Sequence, residues 1–566
     1  MNTILFLIMR RMRLPLLVLL IVYTVAIVGM TLIPGVDDQG NLWYMDFFHA
    51  YYFVSYMGTT IGFGEIPYPF SEAQRMWVIL SLYMTVIAWI YAIGALLSLI
   101  QDDALRHVMI ENRFAWMVKN IHEPFYLICG YGDTGSALVS SLEERFMRSV
   151  VIEIKQERIN ILMMENYPVY VPKLCADASK PLLLVNGGLK NPDCAGVIAI
   201  TDDNLANLHI AITAKLLNPD ITVIGRVDSH DVADNMDSFG TDFIIDPFDI
   251  FAHKLHTALH APNLLLLREC LTTQKETCEP LEPPERGLWV LCGYGRFGKA
   301  VYEQFKGEKN IRFVVIEANP EITGYPRVEC IKGRGTEADT LRQAHIEEAV
   351  GIIAGTNDDV NNLSIIMTAR ELNPNLFVVI RQNKADSQII FEAARADIVM
   401  QPSQIIANHI RILLTTPLLV DFIILAKQFK YGWTEKLIKY LKEILNSTKP
   451  DIWQMAINQE TCPAVWDALS NNQPVNLKCL RTDPRNRKEY LACIPLLLVR
   501  AEENILLPED SECLDKKAQI LWCGKRGIMS WMERTLHDPL VLTYILTGEI
   551  VSRSYVWRWL QNIRIK

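Results

Sequence analysis

Two stretches of this chain, Leu14 to Ile33 and Met76 to Ile100, contain no charged residue. Nothing else in the sequence restricts the fold as strongly. In hydrocarbon every backbone polar group must be satisfied within the protein, which leaves a spanning segment little choice but a helix. The first run has 20 residues, which at about 1.5 Å per residue spans roughly 30 Å, the hydrocarbon thickness of a bilayer. Arg10, Arg11 and Arg13 precede it, so the positive-inside rule puts the N-terminus in the cytoplasm. A cleaved leader is the alternative, but the run is too long for the usual apolar core and no small-residue cleavage site is evident. The expectation is a multi-pass protein of the inner (plasma) membrane with both termini cytoplasmic. Residues 1–13 form the cytoplasmic N-terminus, 14–33 an outer helix and 74–101 an inner one.

Between the spans, 42–59 is rich in aromatics, and Asp46 is its one clear charge. It is too short and too polar to cross, and fits a half-length helix dipping into the membrane. Such a helix aims the negative end of its dipole at a cation pathway. Thr60-Ile61-Gly62-Phe63-Gly64 follows. This run resembles the selectivity filter of potassium channels, commonly Thr-Val-Gly-Tyr-Gly. A dehydrated potassium ion needs a cage of oxygens, and successive backbone carbonyls supply one. Carbonyls that all point one way require unusual backbone angles at alternate positions, which Gly62 and Gly64 reach without steric cost. Thr60 adds a hydroxyl at the inner mouth. Ile61 keeps a β-branched wedge, Phe63 lacks the hydroxyl of the usual Tyr, and Glu65 stands where Asp is usual. An ordinary glycine-rich loop is the plain alternative. Four such loops are needed to surround an ion, so filter geometry and the resemblance together imply a homotetramer. In the inner helix, Gly94 is a candidate bend, with close helix packing as the other explanation. Leu97, near Leu96 and Ile100, is the candidate gate, since a ring of leucines can close a pore by dewetting. No segment carries the regularly spaced arginines of a voltage sensor.

The rest of the chain is repeated. Phe125 to Cys129 reads as a buried strand followed by Gly130-Tyr131-Gly132-Asp133-Thr134-Gly135, and Leu288 to Cys292 is followed by Gly293-Tyr294-Gly295-Arg296-Phe297-Gly298. Each GxGxxG run leads to a second strand that ends in an acid, Glu153 or Glu317. Strand, loop, helix, strand and acid, twice over, predict Rossmann-type βαβ units. Further on the copies keep a constant offset of 155 residues: Thr201 with Thr356, Asn218 with Asn373, Arg226 with Arg381, Asp242 with Asp397, Pro247 with Pro402 and Pro262 with Pro417. Two homologous α/β domains follow. The net charge of −9 argues against nucleic acid as a partner. There are 12 cysteines without a CxxC pair or a Cys/His ligand spacing, and a cytoplasmic setting implies thiols rather than disulfides.

A two-helix pore followed by tandem Rossmann units resembles the ligand-gated prokaryotic potassium channels with regulator-of-potassium-conductance (RCK) domains. The resemblance covers about Ile4 to Gln428. It implies a first RCK domain over 123–286, a second over 287–430, each with crossover helices, and a C-terminal lobe of the second over 431–566. Residues 102–122 would be an exposed linker. It further implies a homotetramer whose eight RCK domains form an octameric gating ring, controlled by small nucleotide ligands. Leu264 to Leu267 suits a lobe-joining interface, or a plain core helix.

A helix N-terminus attracts phosphate through its free N–H groups and its dipole. Gly130, Gly132 and Gly135 with Glu153, and Gly293, Gly295, Phe297 and Gly298 with Glu317, are the two candidate nucleotide sites. The acids are placed for ribose hydroxyls. Arg296 and Arg334 favour the second site for an adenine nucleotide such as NAD or ADP, with Arg381 near the same crevice. Asp133 weakens the first, where Arg226 is the expected counter-charge. Asp133, Glu153 and Asp177 can instead collect a divalent cation such as calcium, although no EF-hand spacing is present. No catalytic constellation is visible, so a non-enzyme is expected: a potassium-selective channel gated by cytoplasmic ligands. The alternatives are a membrane-anchored NAD-dependent oxidoreductase and a regulator of a separate potassium transporter. The tail Tyr555 to Arg564 reads as a docking helix or a solvated terminus.

Overall fold

The computed structural model describes residues 2–272, 282, 284, 286–428, 431–445, 449–501 and 503–549. The tail 555–564 lies outside them. The chain divides into two compact units, Met1–Asn120 and Ile121–Lys566.

The first unit is a helical hairpin around a short helix. The outer helix is Asn2–Leu32 and the inner one Glu72–Ile100. By length and composition, Met9–Leu32 and Glu72–Ile100 can each cross a membrane. They pack closely because Gly29 has no side chain: a Cβ there would lie 2.1 Å from the Trp77 ring. The Trp77 indole N–H donates to the Ala26 carbonyl at 3.1 Å, and that of Trp89 to the Tyr23 hydroxyl at 2.8 Å. Ser71 and Gln74 close a capping box that fixes where the inner helix begins. At the opposite end Arg11 pairs with Asp102, so the start of one helix and the end of the other lie together. The short helix Phe47–Gly58 is capped by Asp46, whose carboxylate accepts from the His49 N–H. The expected exposed linker contains a helix, Asp103–Lys119, most of whose residues are exposed, with Leu105, Phe114 and Val118 buried.

The second unit holds two six-stranded parallel sheets. The first comprises Phe125–Cys129, Arg148–Glu153, Lys173–Cys175, Cys194–Ala199, Thr222–Arg226 and Phe243–Ile245; the second comprises Gly287–Cys292, Ile311–Glu317, Cys330–Lys332, Gly351–Ala354, Phe377–Arg381 and Ile398–Met400. Numbered along the chain, both have the order 3-2-1-4-5-6, which is the doubly wound dinucleotide-binding topology. Their central strands are buried on both faces and read as continuous apolar runs. The constant offset reappears as chemistry. Thr201 N–H donates to the fully buried Asn207 amide oxygen, and Thr356 N–H to that of Asn362, both at 2.9 Å. Val223 and Val378 N–H each donate to an aspartate, Asp242 and Asp397, at 2.7 Å.

The two lobes exchange helices. Pro247–His260, which follows the first sheet, packs its Phe248, Phe251 and Leu255 into the second lobe against Phe297, Val301 and Phe305. Pro402–Thr415, which follows the second sheet, packs Ile406, Ala407 and Ile410 into the first lobe against Leu138, Val139 and Leu142. Leu264 to Leu267 are all buried: Leu264, Leu266 and Leu267 lie in a cluster that also holds Leu419, Phe422, Leu437, Ile452 and Leu496, while Leu265 packs in the core of the second lobe. That run therefore joins the lobes to the C-terminal part of the chain. The C-terminal part is built on an antiparallel sheet of Pro450–Ala456, Gln519–Lys525, Cys493–Val499 and Asn504–Leu506, with Trp453 stacked on Trp522. The 11 described cysteines are free thiols.

Candidate functional site

In the first unit the loop after the short helix alternates its backbone. Thr60, Gly62 and Gly64 have φ of +61°, +65° and +78°, while the residues between them do not enter the left-handed region. Alternation of this kind turns successive carbonyls to one side. Glycine accepts it freely, whereas at Thr60 it costs about 1–2 kcal/mol. The loop is strapped to its helix: Ile61 N–H donates to the Tyr56 carbonyl at 3.1 Å, and Thr59 Oγ1–H to the Ser55 carbonyl at 2.9 Å. The Tyr56 hydroxyl donates to the Glu65 carbonyl at 2.9 Å, and the Tyr52 hydroxyl to the Glu65 carboxylate at 3.1 Å. The helix thus supplies hydroxyls to a loop whose Phe63 has none, and Phe63 meets Tyr56 edge-on at 6.0 Å. Ile61 and Phe63 are exposed on the single chain. The inner helix runs unbroken through Gly94, beside which a Cβ would meet open space, and Leu97 is exposed.

In the second unit both glycine loops have the same construction. Gly130 and Gly293 have φ of +107° and +96°. A Cβ on Gly135 would lie 2.2 Å from the Gly130 carbonyl oxygen, and one on Gly298 would lie 2.0 Å from that of Gly293. The first and third glycines therefore shape the loop. The second, Gly132 or Gly295, caps the following helix, and a Cβ there would meet nothing within 4 Å. That open space above a helix N-terminus is what a phosphate group requires. The acids are buried beneath. Glu153 accepts from Tyr131 N–H at 2.5 Å and Lys155 N–H at 2.8 Å, and Glu317 accepts from Tyr294 N–H at 2.6 Å and Asn319 N–H at 2.9 Å. Each carboxylate oxygen receives one backbone donor and keeps a lone pair for a ribose hydroxyl.

The residue after the second glycine crosses to the other lobe in both copies. Asp133 accepts from Ala385 N–H at 3.3 Å, and Arg296 pairs with Asp228. Arg296, which the sequence offered as a phosphate partner for the second site, is thus engaged across the lobes. It lines a cleft of about 920 Å³ that opens over the first glycine loop, together with Gly130, Gly132, Glu153 and Arg381. That volume is within the usual range for small-molecule sites. The counter-charge to Asp133 is Arg158 at 3.0 Å, while Arg226 pairs with Asp202 at 3.3 Å. Arg381 stacks over Phe248 at 4.9 Å and Phe297 at 5.8 Å. Burial, and then the nearby Arg296 charge, push its pKa down to about 10, so it stays cationic at neutral pH. Its Nε is buried without a hydrogen-bond partner. Arg334 is exposed after the third strand of the second lobe.

Asp133, Glu153 and Asp177 line the same cleft without forming a cation cage. Asp177 accepts from the Ser179 N–H and hydroxyl, at 3.0 and 2.7 Å, while Glu153 and Asp133 hold the partners given above. Among the described residues, His256, His260 and Glu308 are the group whose ligand atoms converge within 4.8 Å. The two histidines stand four apart on one helix, a spacing that the sequence contained and that cysteine counting passed over.

Residues 126–247 and 289–402 match the TrkA-N domain, once in each lobe. The chain is 34% identical over 140 residues to potassium channel protein 1 of Methanocaldococcus jannaschii, covering 24% of this chain and 42% of that protein. It is 32% identical over 137 residues to a Trk system potassium uptake protein TrkA homolog of Pyrococcus horikoshii, covering 23% of this chain and 60% of that protein. The matches thus span less than two thirds of the length of these relatives. Among solved structures, the GsuK channel bound to NAD aligns with 94% of this chain and 99% of its own, at 16% identity and a TM-score of 0.46.

Proposed function

From a chain that carries two TrkA-N (RCK) domains in tandem behind a membrane-length hairpin, we propose a potassium-selective channel gated by a cytoplasmic adenine nucleotide. One observation carries the reading: the left-handed backbone at Thr60, Gly62 and Gly64, in a loop between two helices long enough to span a bilayer. A hairpin that only anchors two nucleotide domains has no need of a threonine held in the left-handed region ahead of two glycines of the same kind. The exposed Ile61 and Phe63 side chains suit contact with neighbouring copies in a homotetramer, and two lobes per chain then make eight in a ring. The relative in Methanocaldococcus jannaschii, a potassium channel protein, supports the same reading.

The ligand reading rests on the cleft. The open face of Gly132, the N–H groups of the helix Asp133–Glu143 and the lone pairs of Glu153 fit the phosphate and ribose of NAD or ADP. Arg381 adds a cation to the wall of the cleft. The sequence favoured the second site; the position of Arg296 and Arg381 in the first cleft moves the preference to the first. We read the chain as a non-enzyme, in which a nucleotide acts by binding one ring shape better than another. Tenfold preference at each of four sites multiplies to about 10⁴, enough to take a closed-to-open ratio from about 99:1 to 1:99. Calcium is not carried forward, because the three carboxylates do not converge. Reconstitution of the full chain in potassium-loaded vesicles tests the reading. Potassium flux that exceeds sodium flux and responds to ADP or NAD is expected; no potassium-selective flux under either nucleotide would overturn it.

A further inference from the structure

We propose that His256, His260 and Glu308 form a binding site for a divalent transition-metal ion, of the zinc and cobalt type, that clips the first lobe's exchanged helix to the second lobe. The two histidines stand one turn apart on Pro247–His260, with rings stacked at 4.3 Å and 15°. Glu308 comes from the other lobe, in the turn between Arg296–Phe305 and Ile311–Glu317. His256 Nε2 lies 3.0 Å from one Glu308 oxygen, and His260 Nε2 lies 3.0 Å from the other. Ligands held about 2.0–2.2 Å from one ion stand about 3 Å apart in an octahedral shell and about 3.5 Å apart in a tetrahedral one.

The hydrogen bonding points the same way. His260 Nδ1 lies 3.0 Å from the His256 carbonyl oxygen. A carbonyl only accepts, so Nδ1 carries the ring proton and the lone pair of a neutral ring is on Nε2. That lone pair faces a carboxylate oxygen, another acceptor. A cation between them resolves the conflict, and the Nδ1 bond holds the ring as outer-shell partners of metal-binding histidines do. Phe305 backs both rings, at 5.5 and 6.4 Å. Two imidazoles and one carboxylate suit zinc, cobalt or nickel, whereas calcium and magnesium prefer all-oxygen sets. The partly exposed side chains leave room for water to complete the shell. The site stands independently of the channel reading.

The test is cobalt binding to the full-length protein in detergent, compared with H256Q/H260Q and E308Q. After dialysis, wild type is expected to retain one cobalt per chain more than the double variant, with the absorption of nitrogen and oxygen ligands and no thiolate band. Loss of an outer-shell partner alone costs about 10–100-fold in affinity, so E308Q is expected to bind at least about tenfold more weakly. Cobalt is also expected to raise the thermal midpoint of wild type but of neither variant, all three agreeing in EDTA. Equal cobalt content in wild type and the double variant overturns the proposal, as does binding seen only as thiolate absorption. A contact made by protonated histidines alone would give that equal content.

Discussion

Alanine at Gly132 is expected to leave the first lobe folded while cutting its nucleotide affinity at least about tenfold. Gly132 has φ −75° and ψ −161°, which any L-residue adopts, and an added Cβ meets no atom within 4 Å. Glycine and alanine both cap without a side-chain bond, so the stability cost stays below about 1 kcal/mol. The new methyl, however, occupies the space through which a phosphate must come within about 2.9 Å of the loop N–H groups. Hydrogen bonds to a charged group contribute about 1.5–3 kcal/mol each, and losing the equivalent of one is already a factor of ten. Gly135→Ala is the contrast. Its Cβ would sit 2.2 Å from the Gly130 carbonyl oxygen, so the loop itself must move, at about 1–3 kcal/mol. The assay is titration calorimetry of the full chain with ADP and NAD, beside thermal midpoints. The same pair in the other lobe, Gly295→Ala and Gly298→Ala, assigns the site to a lobe. If Gly132→Ala and Gly295→Ala both fold and bind like wild type, neither helix N-terminus holds phosphate and the reasoning fails.

Leu97→Ser is expected to raise potassium flux without nucleotide, since a polar ring no longer dewets; unchanged ligand-free flux would remove Leu97 as the gate. Tyr56→Phe deletes the 2.9 Å bond to the Glu65 carbonyl and weakens the loop by about 1 kcal/mol per copy. Faster decay of potassium current checks it, and an unaltered time course counts against the strap. Burial, with the Arg268 charge, pushes His409 on Pro402–Thr415 down to about 4. The unfolded chain takes up that proton near pH 6.5 and the folded chain does not until about 4, so stability is lost as pH falls through this window, by about 1–3 kcal/mol. Thermal midpoints at pH 7 and pH 5 should differ less in His409→Gln than in wild type.

Much of this was legible from spacing alone. Uncharged runs of membrane length, glycines at alternate loop positions and strands ending in GxGxxG each leave a local signature, because backbone geometry or solvent dictates the residue. The offset of 155 residues likewise marked the copies. What spacing does not encode is which surface an apolar helix face will meet. The faces of Pro247–His260 and Pro402–Thr415 would suit either lobe, so the resemblance implied crossover helices but spacing did not show which surfaces they meet, nor the pairing of Arg296 with Asp228. Glu308 joins two histidines from another lobe for the same reason. The helix Asp103–Lys119 was hidden by its charges, since few of its residues are buried.

The exchanged helices also bear on why the two glycine loops differ. Two separate copies of one lobe, joined symmetrically, would carry the same residue after the second glycine and so the same charge on both sides of the join. Linking the lobes in one polypeptide removes that restriction. Asp133 can face a backbone amide while its counterpart Arg296 faces an aspartate. The tandem chain is therefore a dimer freed from its own symmetry, in which one loop can specialise without obliging the other to follow.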